Sequence, residues 1–253
     1  MARLDGKVAI VTGGARSIGA AFAKGLASEG ARVVIADLDA AEETLGIIKQ
    51  AGGEAMAVRT DVTQEADCGN MVAQAVGAYG KLDILVANAG LWVHLERQSA
   101  LEIDIETWQK VMAVNVQGVW LSARAAIPAM RKNQYGKIIT ITSTRAMKGG
   151  SSMLHYDASK GAVIAITRSL AREWGDSGIR ANAIAPGATD TEISQALADD
   201  TQAARRVASA QARAIKRAEE PDDLVGACLF LSSPDSDFMS GQTIVVDGGA
   251  VMW

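Results

Sequence analysis

The sequence predicts an α/β fold in which helices cover both faces of a parallel sheet. Short apolar runs of strand length recur along the chain, and longer amphipathic segments separate them. Because the runs are apolar almost throughout, both faces of each strand must be covered, which favours a parallel sheet between two helical layers. The predicted strands are 8–11, 33–36, 82–87, 138–141, 181–185 and 243–246.

The segments between these strands are predicted helices. They carry alanine, leucine and valine at helical spacing and several end near glycine, as helices commonly do. They are 20–30, 40–52, 64–80, 104–131 and 156–175. The fourth is expected to break at Pro128. The polar, helix-prone segment 190–220 is inserted between two strands and is predicted to be a flap over a binding cleft.

Length and charge indicate one domain, 1–253, that acts on a small molecule. A chain of 253 residues that is 49% hydrophobic can bury a full core. The formal net charge is −4, and the lysines and arginines are scattered, which is not the pattern of a nucleic-acid binder.

Cysteine usage and hydropathy indicate a cytoplasmic protein. Cys68 and Cys228 form no C-x-x-C pair, and two histidines are too few to complete a zinc site with them, so no metal is expected. Charges at Arg3, Asp5 and Lys7 leave no room for the apolar core of a signal peptide. No uncharged apolar run reaches the roughly 18 residues that a membrane helix needs, so no membrane partner is expected.

A glycine-rich turn follows the first predicted strand. Residues 12–19 read T-G-G-A-R-S-I-G, and a helix begins directly after them. Such a turn lets backbone N–H groups and a helix N-terminus approach a pyrophosphate without side chains in the way. An ordinary tight turn would explain the glycines alone, so the motif needs support from its surroundings.

Asp37, at the end of the second strand, supplies that support. Its carboxylate can accept hydrogen bonds from an adenosine ribose and would repel a 2′-phosphate. Arg16 argues the other way, because a guanidinium beside the turn could pair with such a phosphate. Leu38, however, leaves no second basic residue next to Asp37. The pattern therefore favours NAD over NADP.

Two further segments follow strands at the edge where open α/β sheets bind ligands. Asp61 and Val62 come after a further strand, expected before residue 61 and third in chain order, and Asn88, Ala89 and Gly90 come after the strand 82–87, which is then the fourth. Each signal is weak by itself, and Asn88 is equally compatible with a simple turn.

Ser143, Tyr156 and Lys160 form a candidate proton-transfer site. The spacing of Tyr156 and Lys160 puts phenol and ammonium on one face of a helix. A neighbouring cation is expected to lower the phenol's pKa from about 10 towards the useful acid–base range. Ser143, near the end of the fifth-strand segment, could donate a hydrogen bond to a carbonyl oxygen as charge develops there. A bare Y-x-x-x-K is, alternatively, a solvated surface pair.

The sequence resembles the short-chain dehydrogenase/reductase family essentially from end to end. The matching residues are 12–19, 88–90, Asn115, Ser143, Tyr156, Lys160, Pro186, Gly187, Thr191 and 246–249. The resemblance implies a seven-stranded Rossmann fold with strand order 3-2-1-4-5-6-7. It also implies an oxidoreductase that moves a hydride between a nicotinamide ring and a secondary alcohol/ketone pair.

The resemblance assigns roles to four residues. Tyr156 would be the acid/base, Lys160 would hold the nicotinamide ribose and tune Tyr156, and Ser143 would orient the substrate oxygen. Asn115 would bend a helix and hold a water that links the lysine to solvent.

Family resemblance and motif together also predict the cofactor contacts. Ile18 is expected beside the pyrophosphate, Asp61 and Val62 near adenine, and Thr189 and Thr191 near the carboxamide. The full set is Gly13, Arg16, Ser17, Ile18, Gly19, Asp37, Leu38, Asp61, Val62, Asn88, Ala89, Gly90, Tyr156, Lys160, Pro186, Gly187, Thr189 and Thr191.

Ser17 departs from the family pattern T-G-x-x-x-G-x-G, because it replaces the middle glycine. Its Cβ could crowd the pyrophosphate. Alternatively, its hydroxyl could cap the following helix and hydrogen-bond a phosphate oxygen.

Substrate contacts are expected from the loops after Gly90 and Ser143. The candidates are Trp92, His94, Arg145, Met147, Met153 and His155. Trp92 and the methionines suit an apolar or aromatic substrate, whereas Arg145 or His94 suits an acidic or hydroxyl group. Two other functions stay open: an NADPH-dependent 3-oxoacyl thioester reductase and a non-catalytic nucleotide-binding scaffold.

A homotetramer is expected, since the family commonly assembles in this way. The alanine-rich segments 123–129 and 162–171 permit close helix contact, and the tail 250–253 is apolar.

Overall fold

A seven-stranded parallel sheet forms the centre of the protein, in the order β3-β2-β1-β4-β5-β6-β7. The computed structural model describes residues 2–92, 95–196 and 200–252. Every neighbouring pair of strands is parallel, so the predicted fold class and strand order are confirmed.

The strands and helices alternate along the chain, with the last helix preceding the last strand. The strands are β1 Val8–Thr12, β2 Arg32–Asp37, β3 Ala55–Arg59, β4 Ile84–Ala87, β5 Gly136–Ile141, β6 Ile179–Pro186 and β7 Thr243–Val246. The helices are α1 Ser17–Ser28, α2 Glu42–Gln50, α3 Glu65–Tyr79, α4 Ile105–Met112, α5 Gly118–Lys132, α6 Arg145–Lys148, α7 Leu154–Trp174, α8 Glu192–Ala196, α9 Asp200–Ala212 and α10 Pro221–Ser232.

Alternate residues of each central strand enter two different cores. In β1, Val8 and Ile10 pack against α3, α5 and α7, whereas Ala9 and Val11 pack against α1, α2 and α10. All five residues of β1 are buried, which is why the strand is apolar at successive positions. In the edge strand β3, by contrast, only Ala55 and Val58 are buried, so a search for uniformly apolar runs does not find it.

The predicted break at Pro128 is wrong. α5 continues through Pro128 to Lys132, and the irregularity lies earlier, in a π-helical turn at Ala113–Gln117. A proline inside a helix costs roughly 3 kcal/mol. The buried side chains of Ile127 and Met130 on either side hold the helix against the sheet and offset that cost.

The segment 190–220 contains α8 and α9, and residues 197–199 lie outside the described part of the chain. Within the described residues, no helix is long and apolar enough to span a bilayer. No group of histidine, cysteine and carboxylate side chains there is arranged to hold a metal ion.

Candidate active site

The candidate site lies at the carboxyl edge of β1, β4, β5 and β6. The chain leaves these parallel strands at one edge of the sheet, so their loops converge there. The glycine turn follows β1, and Ser143 follows β5 by two residues. Helix α7 brings Tyr156 and Lys160 to the same edge.

The glycine turn is packed too tightly for side chains. Gly13 has a φ of +65°, and a Cβ on Gly19 would lie 1.9 Å from the Gly13 carbonyl oxygen. Asn88 stabilises the turn, because its Nδ2 donates to the carbonyl oxygens of Thr12 and Gly13, both at 3.0 Å. Thr12 Oγ1 accepts in return from the Asn88 N–H. This exposed backbone cradle at the start of α1 fits a dinucleotide phosphate.

Ser17 does not cap α1 as one of the two alternatives expected. Arg16 occupies the N-cap position without a side-chain hydrogen bond. Ser17 has a φ of +54°, a left-handed conformation that favours glycine. Its N–H and its Oγ both donate to Glu192 Oε1, at 2.8 and 2.9 Å.

The carboxylate of Asp37 is held beside the glycine turn. Asp37 accepts from the Ala15 N–H at 2.9 Å and from the Asp39 N–H at 3.1 Å, which fixes its carboxylate beside the turn. Arg16 pairs with Asp39 at 2.8 Å. Arg16 is therefore already neutralised by a carboxylate, which lowers its suitability as a partner for a 2′-phosphate. Leu38 between the two aspartates is half-exposed.

The four predicted catalytic residues come together as buried side chains. Lys160 Nζ lies 5.7 Å from the centroid of the Tyr156 ring. Asn115, in the π-helical turn, donates to Ser159 Oγ at 3.1 Å and accepts from the Leu91 N–H at 2.7 Å.

Gly90 lies between Asn115 and Lys160. A Cβ added at Gly90 would lie 3.3 Å from Asn115 Oδ1 and 3.5 Å from Lys160 Nζ. The backbone of Gly90, in the loop after β4, therefore lies between the Asn115 amide and the Lys160 ammonium.

Lys160 is a buried lysine without a carboxylate partner among the described residues. Its ammonium donates to the Ile141 carbonyl oxygen at 2.8 Å. Burial lowers the pKa of Lys160 to about 8, because the charged form is poorly solvated there.

The predicted direction of the Tyr156 pKa shift is wrong. Burial is the dominant influence and raises the pKa of the phenol above its ordinary value. The hydrogen bond with Ser143 and the positive charge of Arg145 act in the opposite direction. The cation that lowers the phenol's pKa is therefore Arg145, which sequence spacing alone would not indicate.

Arg145 is already paired. Its Nε and Nη2 donate to the two carboxylate oxygens of Asp157 at 2.6 and 2.9 Å, and Nη2 also donates to the Ser151 carbonyl oxygen. This bidentate pair makes Arg145 a poor receptor for an acidic substrate group. The guanidinium lies 6.0 Å from the centroid of Trp92.

Trp92 covers the ring of Tyr156. The two ring centroids are 4.5 Å apart with an interplanar angle of 53°. Met153 is buried and Met147 is partly buried. His155 is fully buried, so it does not reach the surface of the described structure, and His94 lies outside the described residues.

Glu219 organises the loop after β6, a role that the sequence did not reveal. Its carboxylate accepts from Thr189 Oγ1 at 2.6 Å and from the Gly187 N–H at 3.2 Å. The buried Arg213 lies 3.6 Å away. The Thr189 hydroxyl, predicted to face the carboxamide, is thus engaged with Glu219. No local motif marks this carboxylate, because its partners are about 30 residues away.

The remaining predicted cofactor residues lie in the same loops. Asp61 accepts from the N–H and Oγ1 of Thr63, and Val62 is buried against Gly118. Thr191 Oγ1 accepts from the Ser194 N–H at the start of α8. Ile18, Ala89 and Pro186 adjoin the turns that follow β1, β4 and β6.

Comparisons with known proteins agree with this architecture. A family model described as Enoyl-(Acyl carrier protein) reductase matches residues 13–251. A solved structure of a short-chain type dehydrogenase/reductase from Mycobacterium marinum is 33% identical, with a TM-score of 0.90 over 99% of this chain and 97% of that chain. The chain belongs to the short-chain dehydrogenase/reductase family.

Relatives of this dehydrogenase/reductase with named activities match over nearly their full length. The 2,5-dichloro-2,5-cyclohexadiene-1,4-diol dehydrogenase LinX of Sphingobium indicum is 38% identical over 98% of this chain and 97% of its own. The cis-4-hydroxycyclohexanecarboxylate dehydrogenase of Sinomonas cyclohexanicum is 37% identical over 96% of both. The prediction of an enzyme is confirmed: the protein is an oxidoreductase, and its family implies a nicotinamide cofactor.

Proposed function

We propose that this enzyme is an NAD-dependent oxidoreductase that interconverts a secondary alcohol and its ketone, with Tyr156 as the general acid/base. The observation that carries the proposal is the burial of Ser143, Tyr156 and Lys160 together at the sheet edge that also holds the glycine turn. A solvated surface pair, the alternative for Y-x-x-x-K, does not fit this burial.

Several side chains around Tyr156 take part in the proposed proton transfer. The nicotinamide supplies hydride acceptance and donation. Tyr156, with its raised pKa, is protonated at neutral pH and is suited to donate a proton to a ketone oxygen. In the oxidative direction the Tyr156 phenol first passes its own proton towards solvent, and the phenolate oxygen then takes the alcohol proton. The positive charge of Arg145 favours that phenolate. Ser143 supports the same oxygen through a hydrogen bond.

Asn115 holds the loop that contains Gly90 against Lys160. Its side chain exchanges two hydrogen bonds with the backbone of Leu91, at 2.7 and 3.2 Å. We infer that this contact keeps Lys160 in reach of the cofactor ribose and of a water-mediated path for the proton.

NAD is the proposed cofactor, because the acidic environment of β2's carboxyl end disfavours a phosphate. Asp37 faces the turn, and Arg16 is paired with Asp39. Both features oppose binding of a 2′-phosphate, and they also argue against the NADPH-dependent 3-oxoacyl thioester reductase. The family description naming an acyl-carrier-protein substrate keeps that reductase as the second candidate.

The proposed substrate class is a secondary alcohol on a ring. The indole of Trp92 adjoins Tyr156 and offers an apolar surface for a flat or puckered ring. The names of two relatives specify cyclohexadiene and cyclohexane substrates, in agreement with this surface.

A rate panel tests the proposal. Cyclohexanol derivatives with NAD or NADP, and acetoacetyl-CoA with NADH or NADPH, are compared at equal concentration by the absorbance of the reduced nicotinamide. We expect ring alcohols with NAD to be fastest. Fastest turnover of the thioester with NADPH would establish the second candidate. Failure to bind either reduced dinucleotide in a fluorescence titration would refute both activities.

Trp92→Ala sharpens the substrate assignment. It should lower kcat/KM for cyclohexanols about tenfold more than for 2-butanol, because only the ring contacts the indole. Trp120→Ala, at a half-exposed tryptophan on α5, is the matched control. Equal losses for ring and open-chain alcohols would contradict a ring-binding role.

The assembly and the cellular location complete the proposal. We infer a homotetramer, supported by exposed apolar side chains such as Phe238 and Met252. A reducing cytoplasm is supported by the two free, buried thiols. A light-scattering mass near one chain would contradict the tetramer.

A further inference from the structure

Glu192 makes a contact that the proposed reaction does not use. It is the first residue of α8, and its Oε1 accepts from both the N–H and the Oγ of Ser17, at 2.8 and 2.9 Å. The two residues are 175 positions apart in the chain. The carboxylate therefore lies on the first turn of α1, at the glycine turn.

The two Ser17 donors lie at the N-terminus of α1, where an anion can bind. The first N–H groups of a helix have no acceptor within the helix, and the helix dipole favours a negative charge beside them. The N-cap residue Arg16 does not satisfy them with its side chain. The carboxylate of Glu192 accepts from one of these groups, the Ser17 N–H, and also from the Ser17 hydroxyl.

Ser17 and Glu192 complement each other. A serine at a φ of +54° bears a conformational strain that a glycine would not. In return, its hydroxyl provides the second hydrogen bond to the carboxylate, and hydrogen bonds to an ionised group are stronger than neutral ones. The serine that departs from the family's glycine is thus the residue that holds Glu192.

We propose that Glu192 is an internal anion that competes with the cofactor pyrophosphate for the Ser17 donors. An oxygen 2.8 Å from the Ser17 nitrogen leaves no room for a phosphate oxygen on the same N–H. Dinucleotide binding must displace the carboxylate, so the contact weakens cofactor affinity and couples it to the start of α8. The inference rests on the proposed function only in requiring that the dinucleotide bind at this turn.

The test is a binding measurement that needs no substrate. NADH affinity is determined by fluorescence titration for the wild type, Glu192→Ala and Glu192→Gln. Loss of the competing contact should lower the Kd about three- to tenfold for Glu192→Ala, and less for Glu192→Gln, which retains an acceptor oxygen. Glu106→Gln, on the exposed side of α4, makes the same charge change and should leave the Kd unchanged.

Two further probes locate the competition. ADP-ribose, which contains the pyrophosphate, should gain affinity from Glu192→Ala by a factor similar to that for NADH, whereas adenosine should not. The double variant Ser17→Gly/Glu192→Ala should gain less NADH affinity than the product of the two single gains. The reason is that both substitutions act on the same contact between Ser17 and Glu192.

The outcomes separate the two proposals. If the wild type binds neither NADH nor NADPH, the proposed function fails. If it binds NADH and Glu192→Ala binds it equally or more weakly, the competition is refuted and the proposed function stands. An equal gain for adenosine would also refute competition at the pyrophosphate donors.

Discussion

Two buried lysines, one at each end of β5, have opposite surroundings. Lys137, at the amino end, is within 2.7 Å of Asp237 and 3.0 Å of Ser236 Oγ. Lys160 packs at the carboxyl end, where it donates to the Ile141 carbonyl and has no carboxylate partner among the described residues. Burial lowers the pKa of both, but Asp237 counteracts the effect at Lys137 alone.

The difference distinguishes a structural charge from a functional one. A paired buried charge is compensated and can remain protonated as part of the fold. A buried ammonium without a carboxylate is costly, and such costs are commonly found where a protein needs the charge for chemistry. The amino edge of the sheet is therefore assigned to stability and the carboxyl edge to catalysis.

Lys160→Met should have the largest effect. The variant loses the buried ammonium beside Tyr156 and, with it, the proposed ribose contact, which is expected to lower kcat/KM by about 10²–10⁴-fold. Lys137→Met, the matched control at the other end of β5, should keep kcat/KM within about twofold. Steady-state rates with the best ring alcohol make the comparison, and similar losses in both variants would contradict the assignment.

The next effect is on stability as a function of pH. The folded pKa of Lys160 is about 8 and its ordinary value is 10.5, so the unfolded chain binds more protons between them. The cost of burying the charge is fully present below pH 8 and is relieved as the pH rises. The difference in unfolding free energy, wild type minus Lys160→Met, should increase by about 2 kcal/mol from pH 8 to 9.5.

Urea denaturation at several pH values measures this difference. Subtracting the variant cancels the titration of buried Tyr156 and Cys228, whose pKa values are raised by burial. If the difference in unfolding free energy did not change between pH 8 and 9.5, the pKa of Lys160 in the folded protein would not be lowered.

Asp237→Asn should have the smallest effect of the three. The substitution leaves the buried Lys137 with a neutral partner. Because Asp237 is half-exposed, the free energy of unfolding is expected to fall by only about 1–2 kcal/mol. Asp235→Asn, in an exposed pair with Arg3, is the control and should leave the stability nearly unchanged, because solvent screens this pair. Thermal unfolding compares them, and unchanged stability of Asp237→Asn would remove Lys137 from the structural group.

Local sequence patterns were sufficient for most of the fold. β1 is buried at all five residues and is apolar at successive positions, so it could be located to within a residue, and the apolar run of β7 was located equally well although its residues are only partly buried. The edge strand β3 was not identified, because only two of its five residues, Ala55 and Val58, are buried. The helix break predicted at Pro128 was wrong, because packing of α5 against the sheet stabilises the helix by more than the proline destabilises it. A rule based on local sequence does not include that packing.

The candidate site was predictable where its residues are close in sequence or carry a motif. Tyr156 and Lys160 share a helix face, and Gly13 and Gly19 belong to one turn. Contacts between distant segments were not predictable, and the pairing of Ser17 with Glu192 is the clearest case. The Tyr156 pKa likewise depends on burial in the folded protein, which reversed the expected direction.

Tyr156 is proposed to move the substrate proton at the carboxyl edge of the sheet. Tyr156→Phe keeps the ring beside Trp92 and removes only the phenol oxygen, so its rate and its NADH affinity are measured side by side with the wild type. We expect kcat to fall by at least about 10²-fold, with the Kd for NADH within about threefold of the wild-type value. Normal turnover by the phenylalanine variant would contradict it.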